Sequence, residues 1–151
     1  MGMTDIPKNG PSERLLHDCL NARHSPIRVL QFAFLIEDIP SNISVHLCRH
    51  VHATPFVSSL RNDRQDRMNG DEAPRNTPVD MIFYCNAEEL MVIANKRLCS
   101  KASALTRLAV EMMCDEAVEK MPELDGLLVP MCEYHGKVCH EIQGCGRCAK
   151  G

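Results

Sequence analysis

The hydrophobic positions of the chain fall into a few blocks set apart by polar or Pro/Gly-marked stretches. Ser12 precedes Leu15, Leu16 and Leu20, a spacing that predicts a short capped helix ending near Asn21. Residues 27–36, IRVLQFAFLI, form an apolar run between Pro26 and Pro40. Its length and its Val, Ile and Phe content predict a strand buried on both faces. Ile43 and Leu47 lie one turn apart and predict a helix over 42–50. The longest block has Leu90, Ile93, Ala94, Ala102 or Leu105, Leu108, Ala109 and Met112 at helical spacing, which predicts one helix over about 87–119. Asn86, with Glu89 three positions on, has the form of a capping box. Pro122 and Gly126 close the segment. Residues 62–80 are polar and Pro/Gly-rich and predict a long exposed loop. Residues 1–11 have no apolar period and read as a loose arm. No segment repeats. The fold class expected is α+β, one sheet packed with long helices.

Composition narrows the function classes. A length of 151 residues points to one domain, and 44% hydrophobic with 25% charged residues excludes a disordered chain. Lys+Arg 17 against Asp+Glu 20 gives a net charge of −3, which argues against nucleic-acid binding through bulk positive charge. No apolar run approaches the roughly 20 residues of a membrane helix. The start, MGMTDIPKNGPSER, lacks the basic-then-apolar layout of a secretory signal, so the expectation is a cytoplasmic protein.

Sulfur is the unusual component: nine Cys accompany only six aromatics. An odd count without a signal argues against a disulfide framework. Cys19, Cys48, Cys85, Cys99 and Cys114 are scattered, whereas Cys132, Cys139, Cys145 and Cys148 crowd residues 130–148, PMCEYHGKVCHEIQGCGRC. Cys132-x2-His135, Cys139-His140 and Cys145-x2-Cys148 present six soft ligands around Gly136, Gly144 and Gly146. The expectation is a structural zinc on Cys132, Cys139, Cys145 and Cys148, with His135 or His140 as replacements. Reduced thiols or a disulfide-bonded tail are the alternatives. A catalytic zinc is disfavoured, because the H-x-E partner that accompanies C-x-x-C in deaminases is absent. The domain reading is an arm over 1–11, a domain over 12–129 and a Cys/His-rich tail over 130–151.

Two features point to an anionic ligand. At 100° per residue Arg97 falls among Leu90, Ile93, Ala94 and Leu108, inside the apolar stripe. A guanidinium there needs a partner, either an internal carboxylate or an anion held in a cleft. Residues 46–64, HLCRHVHATPFVSSLRNDR, hold Arg49, His50, Ser59, Arg61 and Arg64, which together suit a phosphate cradle. A solvated loop is the plainer reading of the same residues. A metal on His46, His50 and His52 is disfavoured, with no carboxylate nearby to complete the set.

Over residues 12–120 the chain resembles the flavin-dependent thymidylate synthases, the ThyX family, in four segments. Against the signature R-H-R-x-x-S-x-N-E-x-S-x-R-Y it has Arg49, His50, Val51, His52, Ala53, Thr54, Pro55, Phe56, Val57, Ser58, Ser59, Leu60, Arg61 and Asn62. His24-Ser25-Pro26 and the run to Phe34 are similar to H-x-[ST]-P-F-E-H-x-x-F-x-F with one residue missing. Ile39-Pro40 precedes Arg49 as the family's strand-ending Pro precedes its motif. Asn86-Ala87, Leu90-Met91 and Asn95-Lys96-Arg97 resemble N-A-R-S-L-M-x-x-x-N-L-R.

The resemblance implies a homotetramer whose active sites are shared between subunits. It also implies deoxyuridine monophosphate lying over FAD, with the reduced flavin supplying hydride and methylene-tetrahydrofolate supplying carbon. The family's nucleotide-binding positions fall on Arg49, Ser59, Arg61 and Arg97, all kept. Of its flavin positions only His50 and Asn86 remain. The others are Val51, Phe56, Val57, Arg28-Val29 and His46, and the motif's closing Tyr is Asn62. Val, Phe and Val in place of Arg, Asn and Glu remove the partners that a pyrophosphate and a polar ring edge need. The expectation is therefore a binder of a phosphorylated nucleotide, sequestering or sensing it, with the flavin half lost or rebuilt. A divergent pyrimidine C5-modifying enzyme that still holds FAD is the alternative, and an interaction module with a vestigial site is a third. Such a mixture in a small chain suits a phage or mobile-element genome.

Overall fold

The structure is a computed structural model that describes residues 10–61 and 70–151. Arg64 of the expected cradle, and much of the expected 62–80 loop, lie outside those residues. Ser12 opens helix α1 (Glu13–Asn21) by accepting the Leu15 N–H on its hydroxyl at 3.2 Å. A 3-10 turn (Ser25–Val29) begins at Pro26 in its first turn, where proline's missing N–H has no cost. Strand β1 (Gln31–Pro40), helix α2 (Ser41–Cys48) and strand β2 (Thr54–Val57) follow. Strand β3 (Pro78–Asn86) runs directly into helix α3 (Ala87–Arg97), and α4 (Ala104–Lys120) comes next. The tail holds a single turn, α5 (Met131–Tyr134), and a two-residue parallel pair, β4 (Val138–Cys139) with β5 (Ala149–Lys150).

The main sheet has the order β1-β3-β2, antiparallel throughout, with Phe34 and Pro55 flanking Phe83 in register. β3 alternates strictly: Val79, Met81, Phe83 and Cys85 point into the core, and Asp80, Ile82 and Tyr84 point out. Among the described residues, helices cover the inner face only. There Phe83, Met81, Leu47, Leu90, Ile93 and Val110 are fully or almost fully buried, each contributing about 1.5–3 kcal/mol.

Three expectations change. Residues 27–36 are not one strand buried on both faces. Their first part is the 3-10 turn, and β1 has Ala33 and Leu35 exposed. A three-stranded sheet with one uncovered face imposes a half-buried pattern whatever the hydrophobicity of the run. The helix expected over 87–119 is two helices, interrupted at Leu98–Ser103, where Ser100 and Ser103 are poor helix formers. The break rotates α4. Its inner face is Thr106, Val110, Met113, Cys114 and Ala117, while Leu105, Leu108 and Met112, expected in the core, are more than half exposed. Leu90, Ile93 and Ala94 on α3 are buried as expected. Of the expected loop, Pro78–Asp80 already belongs to β3.

Candidate functional site

The site forms where the C-terminal ends of α2 and α3 meet. Asn86 fixes the start of α3 by accepting the Glu89 N–H at 2.9 Å, and the helix then carries Arg97 to its last position. α2 ends at Arg49, so that His46, Arg49 and His50 lie around that position. The Nε–H of Arg97 donates to Nε2 of His50 at 3.1 Å, and its Nη2 donates to the His46 carbonyl at 2.9 Å. On the other side of the ring, His50 Nδ1 lies 3.1 Å from Oε1 of Glu89, and both residues are buried. Arginine Nε can only donate, so Nε2 of His50 accepts and Nδ1 carries the proton that Glu89 receives. Burial, then the Arg97 charge, push the His50 pKa below its ordinary value, and the Glu89 hydrogen bond opposes them.

Burial also lowers the pKa of Arg97, and the second cause is the positive charge of Arg49. The two cations are therefore near enough to repel. Among the described residues no carboxylate forms an ion pair with Arg97. His46, beyond its carbonyl, places Nδ1 2.7 Å from the Thr106 hydroxyl, which ties α2 to α4. At its stripe position the Arg97 guanidinium is half-buried and oriented by the His50 ring and the His46 carbonyl.

Ser59 and Arg61 stand past the far end of β2. Ser59 accepts the Arg61 N–H on its hydroxyl at 3.2 Å. Next to it, Ser58 and Asp80 exchange bonds of 2.8 and 3.0 Å that anchor the turn to β3. The four residues of β2 lie between this pair and Arg49, about 13 Å of strand. Arg49 with Arg97 and Ser59 with Arg61 thus form two groups set apart along the chain.

The flavin positions offer little. Both ring nitrogens of His50 are engaged within the chain, and Asn86 is an N-cap. Asn86 also borders an open cavity of about 520 Å³ with Arg23, Arg28, His52, Glu88 and Glu89. Across it Arg28, where the family has Glu, forms a two-bond ion pair with Glu88, 2.5 and 3.3 Å. That partner holds the Glu88 carboxyl below its usual range. Val51 is 85% exposed and Phe56 59%, and Val57 lies beside them on β2. These residues supply neither charge nor hydrogen bonds, so the chain does not fit FAD in the family's manner.

The zinc set expected in the tail is not assembled. Among the described residues no group of three or more His, Cys, Asp or Glu is placed to hold a metal ion. Cys139 is buried in β4, and Cys132, Cys145 and Cys148 border a cavity shared with Cys99 and Ser100. His135 and His140 pack edge-on against each other instead, 5.2 Å between ring centres.

Sequence reasoning missed Glu89 as a site residue, because the capping box accounted for it. The signal was its position beside Leu90 and Ile93 on the buried side of a helix, where a carboxylate needs a partner.

The sequence matches no protein-family model and no curated protein. The fold does match solved structures. One is the flavin-dependent thymidylate synthase ThyX of Helicobacter pylori with FAD and dUMP, at TM-score 0.67 and 16% identity over 83% of this chain and 86% of that one. Another structure of the Helicobacter pylori enzyme complexed with FAD and dUMP gives TM-score 0.61 at 16% identity, covering 72% and 80%. The UMP/dUMP methylase PolB of Streptomyces cacaoi, bound with 5-Br dUMP, gives 0.61 at 15% identity, covering 80% of each chain. The chain has the α+β fold of the flavin-dependent thymidylate synthases. No described helix is long and apolar enough to cross a membrane.

Proposed function

We propose that this protein binds a phosphorylated nucleotide on a ThyX-like scaffold, with Arg49 and Arg97 of one subunit facing Ser59 and Arg61 of another across a shared site. The observation that carries the reading is Arg97. It is half-buried, aimed by the neutral His50, next to a second cation, and not ion-paired to a carboxylate among the described residues. A phosphate supplies the missing charge through charge-assisted hydrogen bonds. The solved structures of this fold were bound with dUMP or a brominated analogue, which makes dUMP the first ligand to try.

The flavin side of the cleft is rebuilt as apolar surface and an internal Arg28–Glu88 pair, so no redox step is assigned to these residues. The role that follows is sequestering or sensing the nucleotide inside the cytoplasm, as a homotetramer. A second reading, modification at pyrimidine C5, is favoured by the likeness to a methylase acting on UMP and dUMP. A thermal-shift screen of dUMP, UMP and dTMP, with and without FAD, separates the two. A ligand at a hundred times its dissociation constant adds about 2.7 kcal/mol of apparent stability. A nucleotide shift independent of FAD supports the binder, a shift that requires FAD supports the enzyme, and no shift with any nucleotide refutes both.

A further inference from the structure

The tail folds its last cysteines back onto the turn between α3 and α4. Cys99, Cys132, Cys145 and Cys148 line one small cavity of about 220 Å³ together with Ser100 and Arg147. Lys101 holds the tail there, donating from Nζ to the Gln143 carbonyl at 2.8 Å. Cys132 and Cys148 both border this cavity, one from α5 and the other from the segment before β5. Cys145 is exposed, and Gly146 at φ +81° makes a tight turn between it and Arg147.

The surroundings of Cys145 suit an anion. Ser100, the Arg147 N–H and the Arg147 charge hold its thiol below the ordinary range. The Ser100 hydroxyl, on the wall of the same cavity, is buried and makes no hydrogen bond among the described residues, an unmet polar group facing the thiols. Three other cysteines are inert by comparison. Burial pushes Cys85 and Cys114 up to about 12, and raises Cys132 as well.

We propose that Cys145, Cys148 and Cys132 form a thiol–disulfide exchange site whose oxidant is a low-molecular-weight disulfide. The Cys145 thiolate attacks one sulfur of the disulfide, releases the first small thiolate, and is left as a mixed disulfide. That thiolate takes the proton of Cys148, whose sulfur attacks Cys145 and expels the second small thiolate. Cys132 passes its proton to that one, attacks Cys148 and frees Cys145 again as a thiolate. Two electrons have then moved from the protein to the small molecule, which leaves as two thiols. The bond comes to rest between Cys132 and Cys148, which border the same cavity, and ties α5 to the segment before β5.

The test uses the full chain and glutathione disulfide as probe. Limiting iodoacetamide labels Cys145 first, and peptide mapping after oxidation finds Cys132 joined to Cys148. Cys148→Ser traps glutathione on Cys145. Cys145→Ser loses the fast phase of oxidation. Ser100→Ala, which removes no sulfur, slows the labelling of Cys145. The proposal is overturned if Cys145 is labelled no faster than the scattered cysteines, or if no bond forms among the three. It is equally overturned if the purified chain carries an equivalent of zinc that shields these thiols from iodoacetamide.

Discussion

Arg97 donates to His50 through a single Nε–Nε2 bond of 3.1 Å, and that bond sets the protonation state of a buried ring. Because the guanidinium cannot accept, the imidazole must, and its one proton is committed to Glu89. The three residues come from α3, the turn after α2, and α3 again. The ring thereby clamps α2's end to α3 while leaving the outer edge of the guanidinium open toward Arg49.

Arg97→Ala separates stability from binding. It leaves the Nε2 acceptor of His50 and the His46 carbonyl short of a donor, at about 1 kcal/mol, which corresponds to a fall of about 2–4 °C in Tm for a chain of this size. The folded baseline survives, and the nucleotide-induced shift disappears. Arg97→Lys keeps the charge and loses the fork, so it restores only part of the shift. Differential scanning fluorimetry reads both, and an undiminished shift in the alanine variant removes Arg97 from the site.

Acid acts on the same ring. The folded pKa of His50 lies below the ordinary 6.5, with burial the largest cause and Arg97 the next. The unfolded chain therefore takes up its proton first as pH falls. Stability is full above about 6.5, declines as pH drops below it, and levels off once the folded ring is protonated as well. His50→Gln keeps a neutral donor and acceptor and flattens this part of the profile. Denaturant midpoints measured across the window check it. An unchanged slope in the variant assigns the acid sensitivity to other groups.

How far the chain announced this arrangement differs between elements. The α3 face of Leu90, Ile93 and Ala94 was legible because every turn of a buried helix repeats the same demand. The α4 face was not. Ser100 to Ser103 break the helix, and a break of a few residues resets the phase on which the reading of Leu105, Leu108 and Met112 depended. The high apolar content of β1 reads as a doubly buried strand, yet burial depends on what covers the sheet, and no described element covers the outer face. Arg97 stood out in the sequence as a cation in an apolar stripe. Glu89 did not, since its contact with His50 spans 39 positions and local spacing carries no sign of it. The cysteine tail was legible as a cluster, but which thiols meet depends on how the chain turns at Gly146.

The flavin positions can be restored. Val51→Arg, Phe56→Asn and Val57→Glu together return the charged and amide groups that the ThyX signature carries there. The native chain is expected to purify without stoichiometric flavin absorbance and to bind added FAD weakly. The triple variant binds FAD more tightly by flavin fluorescence quenching. Stoichiometric yellow flavin in the native protein would sink the rebuilt-pocket reading, and equal affinity in the two proteins would show that these positions no longer touch the cofactor.

The proposed shared site calls for a second copy, and the surface carries exposed apolar area of the kind that an interface uses. On the outer sheet face Leu35, Ile82 and Phe56 stand side by side in register, at 66%, 42% and 59% exposure, with Tyr84 next to them. On α4 the stripe of Leu105, Leu108 and Met112 borders an apolar groove of about 550 Å³ against β1. Contiguous exposed apolar surface of this kind marks an interaction face. Placing a carboxylate in either one, as Leu35→Glu or Leu108→Glu, costs the folded monomer little because both side chains already face solvent. It destabilises an interface that must bury the charge. Light scattering is expected to show a multimer for the native chain and a smaller species for one or both variants. The nucleotide shift should fall with the loss of assembly, although Arg49, Ser59, Arg61 and Arg97 are untouched. A dissociated variant that keeps the whole shift would place all four residues on one subunit's ligand and defeat the shared site.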